Sequence, residues 1–118
     1  MERDHEAFLM DIVDAADAIS KATGNIELDD YRENRMIRSS VEREFTIIGE
    51  ALTYLSRLDK SIFERIPDAP RIISFRNKLS HEYTKVNDDL IWGFIETYLK
   101  PLRDLCLSLA EERASDRP

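Results

Sequence analysis

Between residues 91 and 109 the apolar side chains Ile91, Ile95, Tyr98, Leu102, Leu105 and Leu109 recur in an unbroken alternation of four- and three-residue steps. A helix of 3.6 residues per turn stacks such positions into one stripe, whereas a strand would scatter them over both faces. A stripe of this kind must be buried against another element, so the chain is committed to helix-on-helix packing. Trp92, Phe94, Leu99 and Cys106 lie on its flanks. Pro101 falls inside it and lacks the amide that would bond the carbonyl of Thr97, which predicts a kink there and not a break.

The same period appears twice more. Phe8, Ile12, Ala15, Ile19 and Ala22 predict a first helix over residues 4–22, with Asp4 as its cap. Thr23-Gly24-Asn25 should end it, through the left-handed conformation that Gly and Asn tolerate, and Asp29 or Asp30 should start the next helix. From Asn34 to Leu58, Ile37, Val41, Phe45, Ile48, Leu52 and Leu55 form one stripe, which Ile47, Ala51, Tyr54 and Leu58 widen. A stripe that broad packs against more than one neighbour. Gly49 sits in its middle, where it costs about 1 kcal/mol relative to Ala, so another helix is expected to approach closely there. Asp59 to Ile66 suit a short extra helix, and Pro67 and Pro70 punctuate the connection that follows. Nothing reads as a strand, a repeat or a low-complexity tract. The expected fold is an all-α antiparallel bundle of four main helices plus a short one, a single domain over residues 1–113 with a frayed polar tail over 114–118.

At 118 residues, 42% of them hydrophobic, the chain suffices for one core and not for two. Its formal charge of -7 argues against nonspecific coating of nucleic acid, because that affinity comes from many cations displacing counterions. A local exception is the stretch 71–85, where Arg71, Arg76, Lys78 and Lys85 are opposed only by Glu82. The lone Cys106 cannot form an intramolecular disulfide and lies on an apolar helix face, as a buried thiol in a reducing compartment would; the cytoplasm fits best. No apolar run approaches the roughly 20 residues of a membrane span, and Met1-Glu2-Arg3-Asp4-His5-Glu6 lacks the basic-then-apolar order of a secretory signal. His5 reads as a surface residue, and Glu42-Arg43-Glu44 as a solvated helix face.

The chemistry is concentrated in Ser74-Phe75-Arg76-Asn77-Lys78-Leu79-Ser80-His81-Glu82-Tyr83. Arg76 carries a permanent charge, and His81 is the side chain most easily switched between proton donor and acceptor near neutral pH. That pair suits work on a phosphate: His81 as general base toward an RNA 2′-hydroxyl, and Arg76 stabilising charge on the phosphorane oxygens. Asn77 would hold a phosphate oxygen or fix the imidazole tautomer, Lys78 would support phosphate binding, and the scheme needs neither metal nor cofactor. At about 100° per residue, however, Arg76 and His81 stand roughly 140° apart on a regular helix. Either the helix is distorted between them or a second copy completes the site, and a two-fold homodimer would bring two arginines and two histidines into one cleft. The residue types alone also allow a plainer reading, a structural histidine and a solvated arginine.

The spacing Arg-x-x-x-x-His-x-Tyr resembles the signature of HEPN-domain ribonucleases, and the chain from Ile12 to about Leu105 looks like the HepT-like toxins. Ile47-Ile48-Gly49-Glu50-Ala51 is similar to that family's mid-helix segment, Arg71-Ile72-Ile73-Ser74-Phe75-Arg76-Asn77 to the approach to its motif, and Tyr98-Leu99-Lys100-Pro101-Leu102 to its proline-bearing final helix. The usual tryptophan near Pro70 is absent, Arg71 following the proline directly. The resemblance implies the toxin of a type VII toxin-antitoxin pair: a dimeric, metal-independent endoribonuclease leaving a 2′,3′-cyclic phosphate, with Arg76 and His81 as the catalytic pair. It further implies that Tyr83 is the tyrosine to which an MntA-like nucleotidyltransferase antitoxin adds AMP, silencing the toxin. The alternatives are a non-catalytic HEPN-like dimer that binds nucleotide or that partner, and a purely structural helical dimer.

Overall fold

A computed structural model describes residues 4–81 and 88–115, with residues 79–81 described by their backbone alone. The described residues contain helices and no strand: α1 (His5–Thr23), α2 (Leu28–Glu33), α3 (Arg35–Leu58), α4 (Lys60–Glu64), α5 (Ala69–His81), α6 (Asp88–Phe94), a π-helical turn (Ile95–Leu99) and α7 (Lys100–Ser115). The expected all-α bundle is what forms.

Helix α1 begins where its sequence directs, the Asp4 carboxylate accepting from the Glu6 amide at 3.2 Å. Leu9, Ile12, Ala16 and Ile19 are fully buried, because α1 packs against both α3 and α7. It runs antiparallel to α7: Asp17, late in α1, pairs with Arg103 at 3.0 Å, and Asp4 meets Arg113 at 3.8 Å near the far end of α7. At the same end of α1, Phe8 stacks on Tyr54 of α3 with ring centroids 5.1 Å apart. The other side of α3 receives α5 through an aromatic cluster, in which Phe75 stacks on Phe94 at 4.2 Å and Phe45 lies edge-on to both. This cluster ties α3, α5 and α6 together and sets the rotation of α5 about its own axis.

Several details depart from the sequence reading. Gly24 keeps right-handed dihedrals (φ -64°, ψ -23°) and donates one more helical bond to the Ser20 carbonyl, so α1 runs out without a left-handed cap. The next helix begins at Leu28, ahead of both aspartates, with Asp30 accepting from the Glu27 amide; α2 then stops at Asn34, whose side chain caps α3 through the Ile37 amide. Six residues are too few to display a period, which is why α2 has no signature in the pattern. His5 is not a surface residue: its side chain is 14% exposed, with Nδ1 3.2 Å from the Asp59 carboxylate. An isolated histidine near the start of a chain carries no burial signal, and only the antiparallel return of α3 brings Asp59 to it.

Pro101 does not break the last helix. The π-helical turn over Ile95–Leu99 comes immediately before Lys100-Pro101 and widens the backbone where the proline ring and the missing amide must be accommodated. Helix α7 continues to Ser115. Cys106 is buried, and burial pushes its thiol up to about 12. Among the described residues no helix is long and apolar enough to cross a membrane. Much of the excess apolar surface is consumed internally, since Ala51, Phe94, Leu99 and Cys106 are buried in the core, while Tyr54 and Leu58 near the end of α3 stay about half exposed.

Candidate active site

Helix α5 starts cleanly because Pro70 sits in its first turn, where no amide is required, and the Ile72 amide reaches the Asp68 carbonyl at 3.0 Å. Ala69, Ile72 and Phe75 face the core. The residue after Phe75 is therefore turned toward the flank of α3, and Arg76 crosses α3 at Gly49. A Cβ on Gly49 would lie 2.4 Å from Arg76 Cγ and 2.5 Å from Arg76 Cβ. The glycine that costs α3 helix propensity is what lets the base of Arg76 pass.

Beyond that crossing, Arg76 Nη2 donates to Glu50 Oε1 and Nη1 to Asn77 Oδ1, each at 3.1 Å. Its Nε is buried without a partner among the described residues, and the side chain is 26% exposed. The guanidinium opens on a cleft of about 260 Å³ lined by Glu50, Thr53, Tyr54, Arg57 and Arg76. Asn77 thus holds Arg76 from its own helix, with its amide NH₂ still able to donate.

The basic residues of the motif segment do not converge. Lys78 and Arg71 border a different depression of about 320 Å³, with Ser74, Phe75, Leu90 and Phe94. Arg71 donates to the Tyr98 hydroxyl and its guanidinium carbon lies 5.6 Å over that ring, which fixes it to the last helix. Charge counted along the chain is therefore not charge in the cleft, where Glu50 has joined Arg76. Lys85, Glu82 and Tyr83 lie outside the described residues. The backbone of α5 is regular α-helix from Arg76 through His81, so no distortion over that span brings the two to one side. By residue count His81 stands roughly 140° round from Arg76.

Glu50, Arg57 and Tyr54 were not singled out as site residues by the sequence. Their signal was present: with Thr53 they occupy one edge of α3, three, four and seven residues after Glu50, immediately following the glycine that marks the close approach.

The family model described as ribonuclease HepT-like matches residues 12–109, which takes in the whole of this arrangement. The chain belongs to the HepT-like ribonuclease family. Two Methanocaldococcus jannaschii proteins that bear provisional RNase names are 33% identical over 97 residues (80% of this chain, 86% of theirs) and 34% identical over 93 residues (77% and 74%). A Thermococcus cleftensis protein provisionally named ribonuclease HepT is 28% identical over 103 residues, covering 87% of this chain and 93% of its own. No solved structure matched the chain significantly. As a HepT-like ribonuclease the protein is an RNA-cleaving enzyme of the HEPN type, and its helical bundle is HEPN-like.

Proposed function

We propose that this HepT-like ribonuclease is the toxin of a toxin-antitoxin pair and cuts RNA without a metal, in a cleft completed by a second copy of the chain. The observation that carries the reading is the uninterrupted α5. On one regular helix Arg76 and His81 diverge, so one phosphate can meet both only if the histidine comes from a two-fold related α5. His81 then takes the proton of the RNA 2′-hydroxyl, the 2′-oxygen attacks phosphorus, and Arg76 stabilises the phosphorane. The 5′-oxygen leaves with a proton from a second acid and the product is a 2′,3′-cyclic phosphate. Asn77 and Glu50 hold the guanidinium fork, and Lys78 adds charge where the RNA leaves α5. The domain is the single one of residues 1–113, and the cytoplasm is its proposed location.

Assembly is the first test. Light scattering at micromolar concentration is expected to give twice the monomer mass, the exposed Leu58 near the end of α3 supplying apolar surface beside the Arg76 cleft. A monomer that cleaves RNA would remove the composite site.

The second test concerns Tyr83, the proposed acceptor of AMP from a nucleotidyltransferase antitoxin. An adenylyl group two residues after His81 would add bulk and negative charge where RNA must enter. Intact-mass measurement after incubation with partner, ATP and magnesium should show one or more AMP units on the wild type and none on Tyr83→Phe, which keeps its ribonuclease activity. Equal labelling of both would move the acceptor elsewhere. The neutralising Glu50 and the net charge of -7 also suit a dimer that binds its partner without cutting RNA; absence of cleavage by unmodified protein would favour that second reading.

A further inference from the structure

We propose that the α3 side of the Arg76 cleft is a subsite for the nucleotide adjoining the cleaved phosphate, with Arg57 binding that nucleotide's phosphate and Tyr54 stacking its base. The inference rests on the ribonuclease reading, with Arg76 at the cleaved phosphate, and adds to it a place for the neighbouring residue of the RNA.

Charge gives the first argument. Glu50 neutralises Arg76 at 3.1 Å, so the pair alone offers little attraction to a polyanion, and the whole chain carries -7. Of the residues lining the cleft, Arg57 is the cation that leaves it net positive. It is exposed and makes no ion pair among the described residues, so its guanidinium is available to an incoming phosphate.

Geometry gives the second. Glu50, Thr53, Tyr54 and Arg57 share one edge of α3, and a rise of 1.5 Å per residue puts Arg57 about 10 Å along the helix from Glu50. That length accommodates a nucleotide and keeps Arg57 clear of the phosphate at Arg76. Tyr54 stands between the two positions. One face of its ring is stacked on Phe8 at 5.1 Å with planes 18° apart, and the ring is 50% exposed at the cleft wall. An aromatic ring pinned on one face and open on the other is a rigid platform for a base, and stacking accepts any base without reading its edge. The subsite therefore takes single-stranded RNA with little sequence preference.

The test is cleavage of a labelled single-stranded oligoribonucleotide by the full-length protein, with kcat and KM measured across a salt series. A fluorescence-anisotropy titration with the corresponding 2′-deoxy oligonucleotide, which lacks the attacking hydroxyl, runs alongside. Arg57→Ala should raise KM about tenfold, with a smaller change in kcat, and should reduce the slope of log KM against log salt by about 1. Arg57→Lys should recover most of both. Tyr54→Ala should raise KM by about tenfold with the salt slope unchanged, and Tyr54→Phe should recover it. Lys21→Ala, at the far end of α1, removes the same charge and should alter neither quantity. An Arg57→Ala protein with wild-type KM and salt slope overturns the subsite while leaving the ribonuclease reading intact. If the wild type binds the deoxy oligonucleotide but cuts no RNA, and Arg57→Ala weakens that binding with the reduced slope, the ribonuclease reading fails and the nucleotide site stands. If light scattering shows Tyr54→Ala halving the mass while Arg57→Ala leaves KM unchanged, this face belongs to assembly and the subsite falls.

Discussion

Purified His81→Ala protein is expected to bind RNA and leave it uncut. Loss of a general base costs about 10²- to 10⁴-fold, and in a composite cleft both copies lose it at once, so cleavage should fall below detection and growth inhibition with it. Arg76→Lys should cost about 10²-fold or more, because an ammonium offers neither the two-pronged donor that spans Glu50 and Asn77 nor the fork that fits a phosphate. Circular dichroism and thermal melting should show both variants folded. Undiminished cleavage by His81→Ala would remove the catalytic assignment, and an unfolded His81→Ala protein would mark the histidine as structural. Mixing the two variants gives the sharpest outcome: heterodimers pairing an intact Arg76 on one copy with an intact His81 on the other should regain part of the activity if the site is shared between copies.

Gly49→Ala is expected to damage both stability and activity, against the ordinary trend for a glycine in a helix. Alanine there would gain about 1 kcal/mol of helix propensity. Its Cβ, however, would sit 2.4 Å and 2.5 Å from Cγ and Cβ of Arg76, the root of that side chain and not its flexible end. Relief requires the α5 backbone to move away from α3, which disturbs the stack of Phe75 on Phe94, and overpacking of this kind costs about 1–3 kcal/mol. The larger effect is functional: a guanidinium displaced by about 1 Å from its productive position can lose about 10²-fold in rate. A melting temperature lowered by a few degrees with kcat/KM down by about 10²-fold is the expected result. A Gly49→Ala enzyme that is more stable than the wild type and fully active would show that α5 does not cross α3 at this residue.

How much of this was legible beforehand depended on the range of the interaction. The four-three stripes place α1 and α3 almost to the residue, Asn34 and Asp59 mark boundaries, and Gly49 marks a point of close approach, whereas the last stripe gives one helix where the structure has α6, a π-helical turn and an α7 that runs on to Ser115. Those are local signals, because capping and stripe formation depend on residues within a turn or two of one another. The motif segment was also visible as a concentration of chemistry. What the cleft around Arg76 contains was not: Glu50 and Arg57 precede Arg76 by 26 and 19 residues, and no local period connects them.

The sequence by itself determined that this chain is an all-α bundle, where α1 and α3 begin and end, and which segment carries an arginine and a histidine five residues apart. Only the tertiary structure decided that Arg76 leans on α3 over Gly49 and is neutralised by Glu50, that Arg71 turns away to Tyr98 and Lys78 to another groove, and that His5 is partly buried beside Asp59. The reason is physical. Helix formation is settled by neighbours along the chain, whereas the rotation of each helix about its axis is settled by what it packs against, here the cluster of Phe45, Phe75 and Phe94, and that rotation chooses every charged side chain's partner.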